Sequence, residues 1–181
     1  MAFRRSLFGL CTVLMLGGAC RGGVRPREVP MDLQIPAIPR GGAIPKAFTA
    51  DGADASPALA WAGVPSGTQA FALILDDPDA PSGLWTHWVL FDVPASARAL
   101  AENLPKAPVL QDGSKQGKNS WGRLGYNGPS PPPGKPHHYH FRLYALSQPL
   151  DLPAGATQAE VEKAMRGKIL AEAAWMATYG R

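Results

Sequence analysis

Residues 137–147 read HHYHFRLYALS, and their alternation decides the fold. His137, Tyr139, Phe141 and Leu143 fall on one side of an extended chain, and His138, His140, Arg142 and Tyr144 on the other. Three of the chain's four histidines sit in this run. The fourth, His87, stands in LWTHWVLFDVP (84–94), a second strand stopped by Pro94. A third strand, TQAFALILDD (68–77), is apolar on both faces and is expected to be covered on both sides. DDPDAPSG (76–83) breaks it with two prolines and a glycine.

Around these strands the chain is irregular. Nineteen prolines and 20 glycines imply many turns. Residues 107–136 form one long region without regular pattern, of the length that often carries function. ASARALAEN (95–103) could supply a helical turn or two. The end reads as helix: Thr157 and Glu160 form a capping box, and Gly167 divides VEKAMRGKILAEAAWMATY (161–179) into two short helices. Strands come first and helices last, without alternation, so the expectation is a mainly β, sandwich-like domain with a helical C-terminus.

The first 20 residues are of another kind. Arg4 and Arg5 precede an apolar run, Leu7 to Leu16, and small residues lead to Cys20. This is the layout of an export signal, with Cys20 as candidate lipidated residue. Gly17 stands where a lipoprotein signal usually has a large apolar residue. The expected organisation is a signal peptide (1–20), a flexible N-terminal segment (21–42) and one domain (43–181), with an entering strand near Met31–Ile38. The protein is then exported, either periplasmic or held on an envelope membrane through Cys20. Both cysteines lie within residues 1–20, so the domain has no pair to oxidise.

The formal charge of +4 falls to +2 once Arg4 and Arg5 leave with the signal. Basic residues are scattered, which argues against nucleic acid as a partner. Adjacent histidines on opposite sides of a strand do not make a metal site, and neither a metal nor another cofactor is expected. No serine occupies a G-x-S-x-G elbow, although Ser130, seven residues before His137, keeps a hydrolase open as an alternative. In the 84–94 strand, strict alternation puts Trp85, His87, Val89 and Phe91 on one face. If that face adjoins His137 and Tyr139, two imidazoles and a phenol rim a hollow suited to an oxyanion, with Asp77 or Asp79 holding a ring tautomer. His138 and His140 point away and need not join it.

SPALAWAGVP, FALILDDPDAP, WTHWVLFDVP, YNGPSPPPG, PHHYHFRLYAL and TYGR, in this order, resemble the phosphatidylethanolamine-binding protein family, in its bacterial Raf-kinase-inhibitor-like branch. The resemblance runs from about Ala43 to Arg181. It implies a large central antiparallel sheet, a smaller second sheet, C-terminal helices and a small anion pocket. It places the ligand-binding residues at Asp77, Asp79, His87, His137 and Tyr139, with loop backbone around Gly128 and the side chain of Ser130, where related bacterial chains often carry cysteine. His138 stands where arginine is common. The implied role is non-catalytic: binding a phosphate-containing small molecule or a phospholipid head group. The alternative within the family is an interaction module that inhibits an envelope protease or kinase through a loop such as 111–136.

Overall fold

The computed structural model describes Met1 and residues 30–181. The expected export signal, from residue 2 on, Cys20 and the segment 21–29 lie outside the described residues. Eight strands and one α-helix follow in chain order: β1 (Asp32–Gln34), β2 (Leu59–Ala62), β3 (Ala70–Asp77), β4 (Trp85–Pro94), β5 (Ala99–Leu100), β6 (Lys115–Gln116), β7 (His137–Leu146), α1 (Gln158–Met165) and β8 (Ile169–Tyr179). They build two antiparallel sheets, one in the order β6-β4-β3-β7-β8 and a smaller one in the order β1-β2-β5.

The three strands read from the sequence are the middle of the large sheet. All eight residues of β3 are buried, because the sheet is covered on both faces. Phe71, Leu73 and Leu75 join the main core between the sheets, where Leu33, Leu59, Trp61 and Leu100 meet them from the small sheet. Ala72 and Ile74 face a second, smaller core closed by Leu150, Val161 and Met165. The alternation of β7 follows the same division. Tyr139, Phe141 and Leu143 enter the main core, while Tyr144 and Leu146 face the helix.

Strict alternation fails in β4. Leu75 pairs with Trp88 and Asp76 with Thr86, so His87 is the extra residue of a β-bulge. Trp88 and Leu90 therefore lie in the main core, whereas Val89 and Phe91 lie under α1. His87 does not share a face with Val89 and Phe91.

The helical reading of the C-terminus holds only for its first turns. Thr157 and Glu160 form the reciprocal capping box, and Gly167, at φ 74°, ends the helix rather than joining two. Residues 169–179 are a strand paired along β7 from Leu146↔Ile169 to His137↔Tyr179. Ala171, Ala173, Trp175, Ala177 and Tyr179 recur every second residue on the main-core face, which overrides the high helix propensity of alanine. The 95–103 segment is likewise no helix. It turns at Pro94–Ala97 and adds β5 to the edge of β2.

The N-terminal segment 21–42 is not loose over its second part. Met31, Leu33, Ile35 and Ile38 are buried in the main core, and Gly41 and Gly42 bond to β8. Among the described residues the packing thus reaches back to Met31, twelve residues before position 43.

Replacing the helix cap by Thr157→Ala is expected to lower stability by about 1 kcal/mol, read as a shift of the urea midpoint at unchanged m-value. A change within error would mean that the capping box contributes nothing to this eight-residue helix.

Candidate functional site

The first turn after β3 is fixed by its own acids. Asp77 Oδ1 accepts the Asp79 backbone N–H at 2.8 Å. Asp77 Oδ2 pairs with His137 Nδ1 at 2.8 Å, with both side chains nearly buried. Asp79 turns outward: its Oδ2 accepts the His138 backbone N–H at 2.8 Å and lies 2.7 Å from His138 Nδ1. These bonds hold the Asp79 carboxyl below its ordinary range. Asp79 clamps the loop to the start of β7 and does not line the cavity that follows.

That cavity has a volume of about 220 Å³. Asp77, His87, His137 and Tyr139 supply its polar wall, and Trp85 and Trp121 part of its apolar one. Ser130, Pro131 and Pro132 close it from the 107–136 region, and Ala80, Pro81 and Ser82 from the turn after β3. The bulge is what admits His87, since without the extra residue a strand with Trp88 and Leu90 in the core would send position 87 toward α1.

Each polar group arrives with its partners largely committed. His87 Nδ1 lies 2.7 Å from the Asn127 carbonyl oxygen. A carbonyl can only accept, so Nδ1 carries the proton. The ring stands edge-on to Tyr139 and Trp121, at centroid distances of 5.3 and 5.1 Å. Burial pushes its pKa down, against the opposing pull of the Asn127 carbonyl and of Asp77. Tyr139 is fully buried, and its hydroxyl lies beside the Asp77 carboxylate without a hydrogen bond of standard geometry. Burial, then the Asp77 carboxylate, holds that phenol far above its ordinary range, so it stays an O–H donor.

Ser130 and Gly128 take different places relative to the cavity. Ser130 lines the cavity, but its hydroxyl donates to Asp51 Oδ1 at 3.3 Å. Gly128 stands behind the wall: its N–H donates to Asp54 Oδ1 at 2.6 Å, and a Cβ there would collide with the Phe48 carbonyl oxygen. Asp54 also accepts from Asn127 Nδ2 and pairs with Lys106. It thereby sets the carbonyl that sets the His87 tautomer.

Two supporting residues were not read as site residues from the sequence, Asp51 for want of any local signal and Arg181 although it closes the TYGR motif. Asp51 accepts the Tyr179 hydroxyl at 2.9 Å and lies 3.4 Å from Arg181 Nη1. Arg181 Nε in turn donates to the Pro131 carbonyl at 2.6 Å and ties the proline wall down. Trp121 was also missed as a wall residue, being a lone aromatic inside an irregular stretch. Among the described residues no group of three or more His, Cys, Asp or Glu converges as a metal site.

The family model for phosphatidylethanolamine-binding protein matches residues 34–180. The chain belongs to this family. A UPF0098 protein of the archaeon Methanothermobacter thermautotrophicus is 50% identical over 151 residues, which cover 83% of this chain and 99% of that one. LppC of Mycobacterium tuberculosis, a lipoprotein by name, is 33% identical over 94% of this chain and 92% of its own. Among solved structures, the family homologue CT736 of Chlamydia trachomatis superposes with a TM-score of 0.76 at 35% identity, covering 84% of this chain and 98% of that one. The motifs quoted from the sequence and the two-sheet architecture agree with this membership. The name is that of a family of binding proteins, not of enzymes. No helix among the described residues is long and apolar enough to cross a membrane.

The buried His87 ring has a proton-linked consequence. Its folded pKa is lowered, so the unfolded chain binds the extra proton as pH falls below the unfolded value of about 6.5. This part of the stability is complete above that value and is lost as pH drops through the folded one. Urea unfolding at pH 7.5 and 5.5 should show the loss, and His87→Gln should flatten it. An equal pH dependence in both proteins would show that the ring does not carry it. Separately, Gly128→Ala should destabilise the fold by about 2 kcal/mol or more, through the collision with Phe48, in the same assay.

Proposed function

We propose that this protein is a non-catalytic binding protein whose cavity takes a phosphate-like group, from a small molecule or from a phospholipid head. The supporting observation is the convergence of Tyr139, His87 and His137 on one cavity wall, with the buried Tyr139 hydroxyl making no hydrogen bond of standard geometry. A buried donor left without an acceptor costs about 1–3 kcal/mol, and an oxyanion supplies that acceptor. His87 and His137 flank it. Each can add a donor when protonated. The apolar wall of Trp85, Trp121 and the prolines lowers the local dielectric and strengthens those bonds.

Asp77 holds His137 and limits how much negative charge the cavity accepts. Asp79 and Gly128 contribute through backbone placement, from outside the wall. Ser130 donates to Asp51 and not to a histidine, so no activated nucleophile supports the hydrolase alternative. The motifs also support the bacterial Raf-kinase-inhibitor-like branch as the finer assignment. Inhibition of an envelope enzyme through the 111–136 region has no comparable observation behind it. For location we favour export, on the signal-like residues 1–20 and the lipoprotein name of the mycobacterial relative. Membrane contact would then run through Cys20.

Calorimetric titration with inorganic phosphate and phosphoethanolamine tests the reading. Tyr139→Phe and His137→Ala should each weaken binding by about tenfold or more. Parental affinity in both variants would sink the assignment of this cavity.

A further inference from the structure

We infer that residues 78–84 are a flap that forms a movable wall of the cavity and is latched shut by Asp79 on His138. The flap is a property of the free protein, and its effect on ligand exchange rests on the anion reading above.

The walls of the cavity differ in how they are held. Pro131 is tied by Arg181 Nε at 2.6 Å, and Ser130 by Asp51 at 3.3 Å. Trp121 is fixed through its backbone. Asn119 Oδ1 accepts its N–H and that of Arg123, each at 3.1 Å, while Asn119 Nδ2 donates to the Gly125 carbonyl and to Asn127 Oδ1. His87, His137 and Tyr139 belong to β4 and β7, inside the large sheet.

The wall made by Ala80, Pro81 and Ser82 has no comparable support. Residues 78–84 are exposed except for Ala80, which is half-buried, and none of them joins either core. At the base of the segment Asp77 Oδ1 accepts the Asp79 N–H, and within it the Gly83 N–H bonds to the Ala80 carbonyl at 2.9 Å. Beyond these, among the described residues, its hydrogen bonds are two, and one atom makes both. Asp79 Oδ2 accepts the His138 N–H at 2.8 Å and lies 2.7 Å from His138 Nδ1. A segment with exposed backbone, no core residue and one tether is the kind that opens before the rest of a fold.

The ends of the segment suit such a motion. Gly83 stands at φ 91°, and a Cβ placed there would meet nothing within 4 Å. It can change its dihedrals without a clash. At the other end Pro78 is stiff in φ, so the first joint free to turn is Asp79, the latching residue itself. Swung out, Ala80, Pro81 and Ser82 leave a hollow of about 220 Å³ open along one side, while Trp85, Trp121 and the prolines stay in place.

The latch is strong enough to set a preference and weak enough to release. The His138 ring, then its N–H, holds the Asp79 carboxyl below its ordinary range, so the latched form is the carboxylate. Both side chains are about half exposed, at 50% and 42%. A surface pair of this kind shifts an equilibrium by about two- to fivefold. Asp77 cannot take over the role, because its Oδ2 is committed to His137.

The test begins without ligand. Nitrogen-15 relaxation dispersion on the full chain reads microsecond-to-millisecond exchange at the amides of Ala80, Ser82, Gly83 and Leu84. The parent should show a minor open state. Asp79→Ala should raise its population by about two- to fivefold. His138→Ala should raise it less, because the backbone N–H still holds the carboxylate. The urea midpoint should stay near that of the parent in both variants. If Asp79→Ala fails to fold, the parent and His138→Ala still decide the matter. No exchange at these amides in any of the proteins, or an open population equal in all of them, overturns the latch. The line shape of the phosphorus-31 signal of added inorganic phosphate then gives its dissociation rate, which should rise in each variant by the factor found for the open population. An unchanged rate beside a raised open population overturns the gating of ligand exchange and leaves the anion cavity standing. Absence of phosphate binding defeats the anion reading instead, and the dispersion data alone then judge the flap.

Discussion

One extra residue in β4 governs the site. The large sheet has to keep Trp88 and Leu90 in the main core, because their partners across the strand pair, Leu75 and Leu73, are there. With strict alternation that requirement would send His87 into the layer under α1 and leave Thr86 facing the cavity. The bulge lets both demands be met: Thr86 bonds to Gln158 of α1, and His87 turns to the side of Tyr139. The bulged residue is buried and bonds to a loop carbonyl, so the departure from regular pairing is stabilised by the 119–128 segment that packs over it.

How much of this could be read from residues alone follows from the range of each signal. The alternation of β7 is local and strong, so His137 and Tyr139 were separable from His138 and His140 without coordinates. The burial of β3 on both faces was legible for the same reason. A bulge leaves no periodic trace except a phase slip, and in WTHWVLF every position is compatible with either phase, because aromatic and branched residues occupy both faces. β8 failed differently. Its core face is mostly alanine, which suits a helix by propensity, and only the unpaired edge of a ten-residue β7 makes it a strand. Asp79 illustrates a third limit. The sequence places it two residues from Asp77, but which of two neighbouring carboxylates faces the hollow depends on a turn bonded through the Asp77 side chain.

The supports of the cavity are long-range and therefore silent in the sequence. Asp54 and Asp51 lie early in the chain, yet one fixes the loop at Asn127 and Gly128 and the other meets Tyr179 and Arg181. They brace the cavity from two directions. Asp54 fixes the carbonyl that receives the His87 proton, and Asp51 with Arg181 fixes the proline wall. Both carboxylates are themselves paired with cations, so they orient without adding bare charge near the cavity.

Within that frame the distribution of partners is uneven in a telling way. Asp77, the Nδ1 atoms of both histidines, Asn127 and Ser130 are each bonded to protein. The Tyr139 hydroxyl, at the most buried position of the wall, makes no hydrogen bond of standard geometry, although the Asp77 carboxylate lies beside it. Phenylalanine would fill the same space in the main core without the cost of an unpaired hydroxyl, so packing alone gives no reason for a tyrosine there. A tyrosine there sets an O–H beside both the hollow and the Asp77 carboxylate, where an acceptor oxygen brought by the proposed ligand would compete for it. The same placement keeps the donor oriented before the ligand arrives, because Tyr139 is locked between Phe141 on its own strand face and the edge of His87. Little ordering would then remain to be done in the proposed binding, which favours affinity in a cavity this small.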